Sequence, residues 1–404
     1  MAINDKLLKS AAGGGGLVNS ANFQTVLYTG NGATTQAITG VGFKPEFVWI
    51  KQRSGSASHN WQDIVRGEGS SKTLSSDLEN VQGDYGPAYG FLSTFDNDGF
   101  TVGEGSASGA AHTNKLNSTY VAWCWMAGGA KSTNTAGSID CELSANVDAG
   151  FSIATYTNIL NNYTYSHGLS KAPEIIITKG LDVVYGWEVA FPDTFGVAAG
   201  STAPADWNRD FLNEADPLAT NPYYAADANF IYNGGWTAPF PTMVSYNFHS
   251  VAGFSKMGSY TGTGANQHID CGFEPAWVMI KNTENSYRWY ILDNKRNPTN
   301  PKFARLFANA GTAEATNANI LDFTTTGFQI ITSDAEVNQN NKKMIFMAFA
   351  ADPDTTTPTL AKSFNIDAYS GNGATQQIGS VNTLFTKFGI FNGSSSVITL
   401  PTLG

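Results

Sequence analysis

The sequence predicts an all-β protein of tandem β-sandwich repeats, jelly-roll or concanavalin-like, behind a short N-terminal helix or arm. Three observations carry this expectation. The stretch Phe43-Lys-Pro45-Glu-Phe-Val48-Trp-Ile50-Lys51 returns as Phe273-Glu-Pro275-Ala-Trp-Val278-Met-Ile280-Lys281, and more loosely as Pro173-Glu-Ile-Ile176-Ile-Thr-Lys179. Each copy follows a Tyr-Thr segment, at Tyr28, Tyr156 and Tyr260, and a fourth start stands at Tyr369. Those starts lie roughly 100 to 130 residues apart, which is domain scale rather than the 20 to 50 residues of a solenoid or propeller blade. The third observation is composition: aromatics reach 12% and glycines number 42, while charged residues are only 14%. Many turn formers with many aromatic and β-branched residues favour strands.

The elements follow in order. In residues 1–21, Ile3, Leu7 and Leu8 share one face of a short helix and Gly13 to Gly16 form a flexible joint. A short apolar peptide on such a joint reads as a docking peg; a disordered tail is the alternative. Repeat 1 spans 22–135, with Gly30-Asn-Gly32 read as a hairpin turn, the Pro45 strand, Phe95-Asp-Asn-Asp-Gly99-Phe100 and Tyr120-Val-Ala-Trp-Cys-Trp125. Repeat 3, over 254–353, returns the order, with Phe323-Thr-Thr-Thr-Gly327-Phe328 matching the Phe95 segment. Both segments read as two strands joined by a tight turn in which Gly supplies a positive φ. Repeat 2, over 136–253, diverges, with an irregular stretch from Asp193 to Pro241. Residues 354–404 are a linker and a partial fourth repeat ending in apolar strands that pair with an earlier repeat or a neighbouring chain. Alternation as in Glu46-Phe-Val-Trp-Ile-Lys51 fits strands with one face in the core.

Charge and motifs narrow the chemistry. A net charge of −10 argues against a basic nucleic-acid footprint. No run of 18 apolar residues spans a membrane, and the N-terminus lacks a signal-peptide core. Cys124, Cys141 and Cys271 are too few and too scattered for a disulfide framework or a metal site. The histidines form no zinc pattern, and Asp96-Asn-Asp-Gly99 lacks the Glu a calcium loop needs at its twelfth position, leaving a hairpin turn. No cofactor is expected. The one recurring polar constellation is Asp-x-x-Arg after a Trp: Trp61, Asp63 and Arg66 align with Trp289, Asp293 and Arg296. Such a trio could bind a sugar beside the indole face, or form an internal ion pair that holds a loop.

The Tyr-Thr-Gly-Asn-Gly starts, the Phe-x-Pro-x-x-Val-x-Ile-Lys strands, Tyr120 to Gly129, Phe248 to Lys256 and Met347-Ala-Phe-Ala together resemble a domain of unknown function found in virion proteins of tailed, often marine, bacteriophages. The leader from Asn4 to Gly13 resembles leaders of phage structural proteins carrying lectin-like domains. The resemblance implies a non-enzymatic virion protein, a tail fibre or similar appendage contributing to host attachment. Its implied partners are other virion proteins through the N-terminal segment and a host-surface glycan or protein. Alternatives are a capsid decoration protein or head fibre, and a glycan depolymerase. A homo-oligomer, trimeric as fibres commonly are, is expected.

Overall fold

The computed structural model describes residues 22–107, 112–158, 162–195, 206–218, 223–234 and 242–350. The peg residues Ile3, Leu7 and Leu8 and the segment 354–404 lie outside the described residues. The regular structure among them is antiparallel β-sheet with a few single helical turns.

Repeat 1 contains β1 (Phe23–Thr29), β2 (Gln36–Thr39), β3 (Phe47–Gln52), β4 (Asn60–Asp63), β5 (Phe91–Asp96), β6 (Gly99–Gly103) and β7 (Thr119–Trp125). Its inner sheet runs β1-β7-β3-β4 and its outer sheet β2-β6-β5. β8 (Ser132–Asn134) falls inside the bounds read for repeat 1 but joins the larger sheet of repeat 2; there follow β9 (Cys141–Asn146), β10 (Phe151–Tyr156), β11 (Tyr163–Ser166), β12 (Ile175–Gly180), β13 (Glu188–Pro192), β14 (Trp207–Phe211), β15 (Tyr224–Ala226), β16 (Phe230–Asn233) and β17 (Met243–Phe248). Within its larger sheet the order β10-β17-β12-β13 copies repeat 1, extended by β14 at one edge and by β9 and β8 at the other; β11-β16-β15 copies the outer sheet. Repeat 3 has β18 (Ser255–Thr261), β19 (Gln267–Asp270), β20 (Pro275–Asn282), β21 (Tyr290–Asp293), β22 (Leu306–Phe307), β23 (Leu321–Thr324), β24 (Gly327–Ile330) and β25 (Lys343–Ala350). Its sheets are β18-β25-β20-β21-β22 and β19-β24-β23. The divergent repeat thus keeps the whole topology, and the stretch from Asp193 to Pro241 that reads as irregular carries β14, β15 and β16.

The core is where structure and expectation part. Each repeat has a local core between its two sheets: Val48, Ile50 and Phe100 in repeat 1, Tyr156, Tyr165 and Ile176 in repeat 2, Val278, Ile280 and Phe328 in repeat 3. The opposite faces of the three inner sheets meet in one shared core, where Trp49, Trp123, Ile177, Tyr246, Met279 and Met347 lie together. The central strands are therefore buried on both faces, and every residue of β3, β12, β17 and β20 is buried. A strand covered twice reads as a continuous apolar run, which is why alternation revealed only one of its two contacts. The shared core makes one compact unit of the described residues.

Two turn readings change as well. β1 and β2 lie in different sheets, so Gly30 to Gly32 carries the chain from inner to outer sheet and is not a hairpin turn. β5–β6 and β23–β24 are hairpins, but the shared glycine answers close approach. A Cβ on Gly99 would stand 1.9 Å from the Ile38 carbonyl oxygen, and one on Gly327 would stand 2.0 Å from that of Ile269. Only Gly99 of the pair has a positive φ.

On each of the edge strands β1 and β18 one amide is met by a nearby side chain. The N–H of Thr25 in β1 donates to Gln24 Oε1 at 3.0 Å, and that of Met257 at the corresponding place in β18 donates to Ser250 Oγ at 2.9 Å. In repeat 2 the same edge is filled by β9, which pairs along β10.

Candidate functional site

The recurring motif residues converge on the seams between repeats. Strand registers pair Ile50 with Asn60, Thr178 with Glu188 and Ile280 with Tyr290, which makes His59, Trp187 and Trp289 structural equivalents. Each uses a ring nitrogen to reach backbone carbonyls of another repeat. His59 Nε2 lies 2.9 Å from the Phe307 oxygen of repeat 3. Trp187 Nε1 donates to Ser75 O of repeat 1 at 2.8 Å, and Trp289 Nε1 to Phe211 O of repeat 2 at 3.0 Å.

The lysine six residues after each motif proline does the same. Lys51 Nζ donates to Gly311 O and Thr312 O of repeat 3 at 3.3 and 2.9 Å, and to Gln52 O at 2.9 Å. Lys179 Nζ donates to Glu79 O of repeat 1 at 3.1 Å and to Gly180 O at 2.8 Å. Lys281 Nζ donates to Ala215 O and Asp216 O of repeat 2, both at 2.9 Å, and to Tyr287 O at 2.7 Å. Two residues further on, a carbonyl receives an amide from the clamped loop: Glu314 N to Arg53 O at 2.9 Å, Gln82 N to Leu181 O at 2.7 Å, Leu218 N to Thr283 O at 2.9 Å. The seams run from repeat 1 to 3, from 3 to 2 and from 2 to 1, a closed ring. Loss of hydration pushes the ammonium groups of Lys51 and Lys179 down to about 8, and lowers that of Lys281.

The sequence-singled trios sit in the same seams. Trp61, Asp63, Arg66, Trp289, Asp293 and Arg296 are each at most 7% exposed. Asp63 Oδ2 takes Arg66 Nε at 2.5 Å and the Tyr246 hydroxyl of repeat 2 at 2.7 Å. Asp293 Oδ2 takes Arg296 Nε at 2.5 Å and Trp123 Nε1 of repeat 1 at 3.0 Å. Arg66 Nη2 and Arg296 Nη2 donate to Trp61 O and Ile291 O. The geometry is that of a loop-holding ion pair. A sugar stacked on an indole needs an open ring face, and Trp61 is enclosed by Phe47, Trp49, Trp187 and Tyr246 at ring-centroid distances of 4.5 to 5.2 Å. The two tryptophans are also not equivalent: Trp61 corresponds in register to Ile291, and Trp289 to His59. At the third seam the corresponding pair is Phe191 and Met347, apolar on both sides and both in the central core. At this register position a buried acid is therefore present only where the neighbouring repeat supplies a donor for it.

Sequence reasoning missed the three lysines and His59. The signal for the lysines was present, because Lys51, Lys179 and Lys281 stand at one distance from their prolines. No signal marked His59, since its equivalents are tryptophans.

Outside the seams, a groove of about 540 Å³ lies between the turn after β13 and the edges of β18 and β19, with Asp193, Lys256, Ser259, Gln267, His268 and Asp270 among its lining. Among the described residues, no three His, Cys, Asp or Glu side chains gather in a metal-holding arrangement, and no helix is long and apolar enough to cross a membrane.

These features define a class: a ring of three antiparallel β-sandwich repeats fused through a common core and locked by buried cation clamps. The chain belongs to the family described as a domain of unknown function, DUF7483, whose model matches residues 18–353. Comparison with curated proteins and with solved structures found no match.

Proposed function

We propose that this protein is a non-enzymatic structural protein of a bacteriophage virion, a tail fibre or similar appendage that contributes to attachment to the host surface. The observation that carries the reading is how the recurring polar residues are used. Lys51, Lys179, Lys281 and the two Asp–Arg pairs bond internally and hold three repeats in one body. Residues used in this way build a scaffold, and on a rigid β scaffold recognition falls to loops and grooves. The sequence resemblance to virion proteins supplies the biological setting, and the groove beside β18 offers hydrogen-bonding groups of both signs, suited to a host glycan or protein.

Immunogold electron microscopy of intact virions, with antibody against residues 140–353, tests it. Label on the tail or its fibres is the expected result. Label over the head would replace the reading with a capsid decoration protein or head fibre. No label on the particle, with the antibody validated on free protein, overturns both. Release of reducing ends from host polysaccharide would overturn the non-enzymatic part.

A further inference from the structure

Three equivalent ring nitrogens close the three seams, and they differ in one chemical respect. Trp187 and Trp289 carry indole N–H groups that do not titrate in the physiological range. His59 carries an imidazole. Its environment admits one protonation state. The indole N–H of Trp49 donates to Nδ1 at 2.7 Å, so Nδ1 must be an acceptor. Nε2 then holds the single proton and donates it to Phe307 O at 2.9 Å, with Ala310 O at 3.3 Å. The ring is fully buried.

A second proton would sit on Nδ1 and point at the Trp49 N–H, breaking that bond and placing a charge inside the seam. On balance the surroundings oppose that charge. Loss of hydration lowers the affinity of the ring for a proton most, Lys51 on β3 and His112 lower it further, and the Phe307 and Ala310 carbonyls offset only part of this. From the segment after β4, Asp77 engages the backbone N–H of His59 through Oδ1 at 3.0 Å. From repeat 3, the ring meets the carbonyls of Phe307 and Ala310. We propose that the seam between repeats 1 and 3 is an acid-sensitive latch, in which uptake of one proton by His59 opens that seam while the two tryptophan seams stay closed.

The sign follows from linkage. The folded affinity of His59 for a proton lies well below that of a free imidazole near 6.5. The closed seam is therefore fully favoured above about pH 6.5 and loses ground as pH falls toward the folded value. One proton taken up on opening raises the opened fraction about tenfold per pH unit in that window.

Hydrogen–deuterium exchange on the full chain at pH 7, 6 and 5, corrected for the intrinsic pH dependence of exchange, reads each seam separately. The amides of Ala57 and Glu314 cross the 1–3 seam, those of Gln82 and Tyr185 the 2–1 seam, and that of Leu218 the 3–2 seam. The expected result is opening at Ala57 and Glu314 that grows about threefold from pH 7 to 6 and about eightfold from pH 6 to 5, with no acceleration at the other three. His59→Gln retains a donor for Phe307 and takes up no proton, so it should abolish the slope; His112→Gln should retain it. Equal acceleration at all five amides, or none at Ala57 and Glu314, overturns the proposal. Should His59→Gln fail to fold, the wild-type comparison between seams decides alone.

Discussion

Replacing Lys51 with methionine probes the ring most directly. Methionine keeps the apolar stem and deletes the ammonium. Lys51 Nζ makes three bonds to carbonyl oxygens at 2.9, 3.3 and 2.9 Å from a side chain wholly shielded from solvent. Hydrogen bonds to a charged group contribute about 1.5–3 kcal/mol each, so the three together are worth roughly 5–9 kcal/mol. Against this stands the cost of burying the charge. The descent of the ammonium from 10.5 to about 8 corresponds to about 3 kcal/mol, which methionine recovers. The net loss is then about 2–6 kcal/mol. Chemical denaturation at pH 7, followed by tryptophan fluorescence, measures it as a lower midpoint at constant slope. The ring supplies its own control: Lys179→Met and Lys281→Met remove the equivalent clamps and should fall in the same range. A loss below about 0.5 kcal/mol for all three would refute the argument, because the carbonyl cages would then contribute nothing to the closed state.

Two further outcomes follow from the shared core and the seam acids. Burial pushes the Cys141 and Cys271 thiols up to about 11 and 12 and that of Cys124 up further still, and each sits in the local core of a different repeat. All three should therefore be inert to a thiol reagent in the native protein and become reactive together with one rate on unfolding; labelling in separate steps would show that the repeats unfold independently. Tyr246→Phe removes the hydroxyl that donates to Asp63 Oδ2 across the 2–1 seam and should cost about 1–3 kcal/mol in the same denaturation assay, whereas a neutral result would mean that Arg66 alone satisfies the carboxylate.

Much of the fold was legible because its signals are local. The repeat of Phe-x-Pro-x-x-Val-x-Ile-Lys marks β3 and β20, and Phe-x-x-x-Gly-Phe marks the hairpins β5–β6 and β23–β24. The Asp63–Arg66 and Asp293–Arg296 spacing carried the ion pair. What stayed hidden is relational. Trp49 and Val48 are both apolar neighbours in one strand, and nothing in the sequence says that one faces the centre of the ring and the other its own sandwich. Trp61 and Trp289 look like counterparts because each precedes an Asp-x-x-Arg, yet the ladder places them two residues apart in register. Lys51 reads as a polar strand terminus because a lone chain offers no hint of the carbonyls of Gly311 and Thr312 that receive it. The irregular look of Asp193 to Pro241 reflects short strands, of three to five residues, too brief for periodicity to register.

The separation between the shared core and the three local cores has a consequence for what a single chain can display. The clamps and ring nitrogens engage the inner sheets and their connecting loops, while each outer sheet packs on its own cluster. Those local clusters already differ: repeat 2 packs Tyr156, Tyr163, Tyr165 and Tyr224 into its cluster, where repeat 3 has Phe307, Phe323, Phe328 and Phe346 beside Tyr260 and Tyr290. A change on one outer side therefore need not loosen its neighbours. In the proposed attachment role the three outer sides would act as separate contacts that need not match in specificity, and weak contacts held at fixed spacing would add through effective concentration rather than through any one tight site.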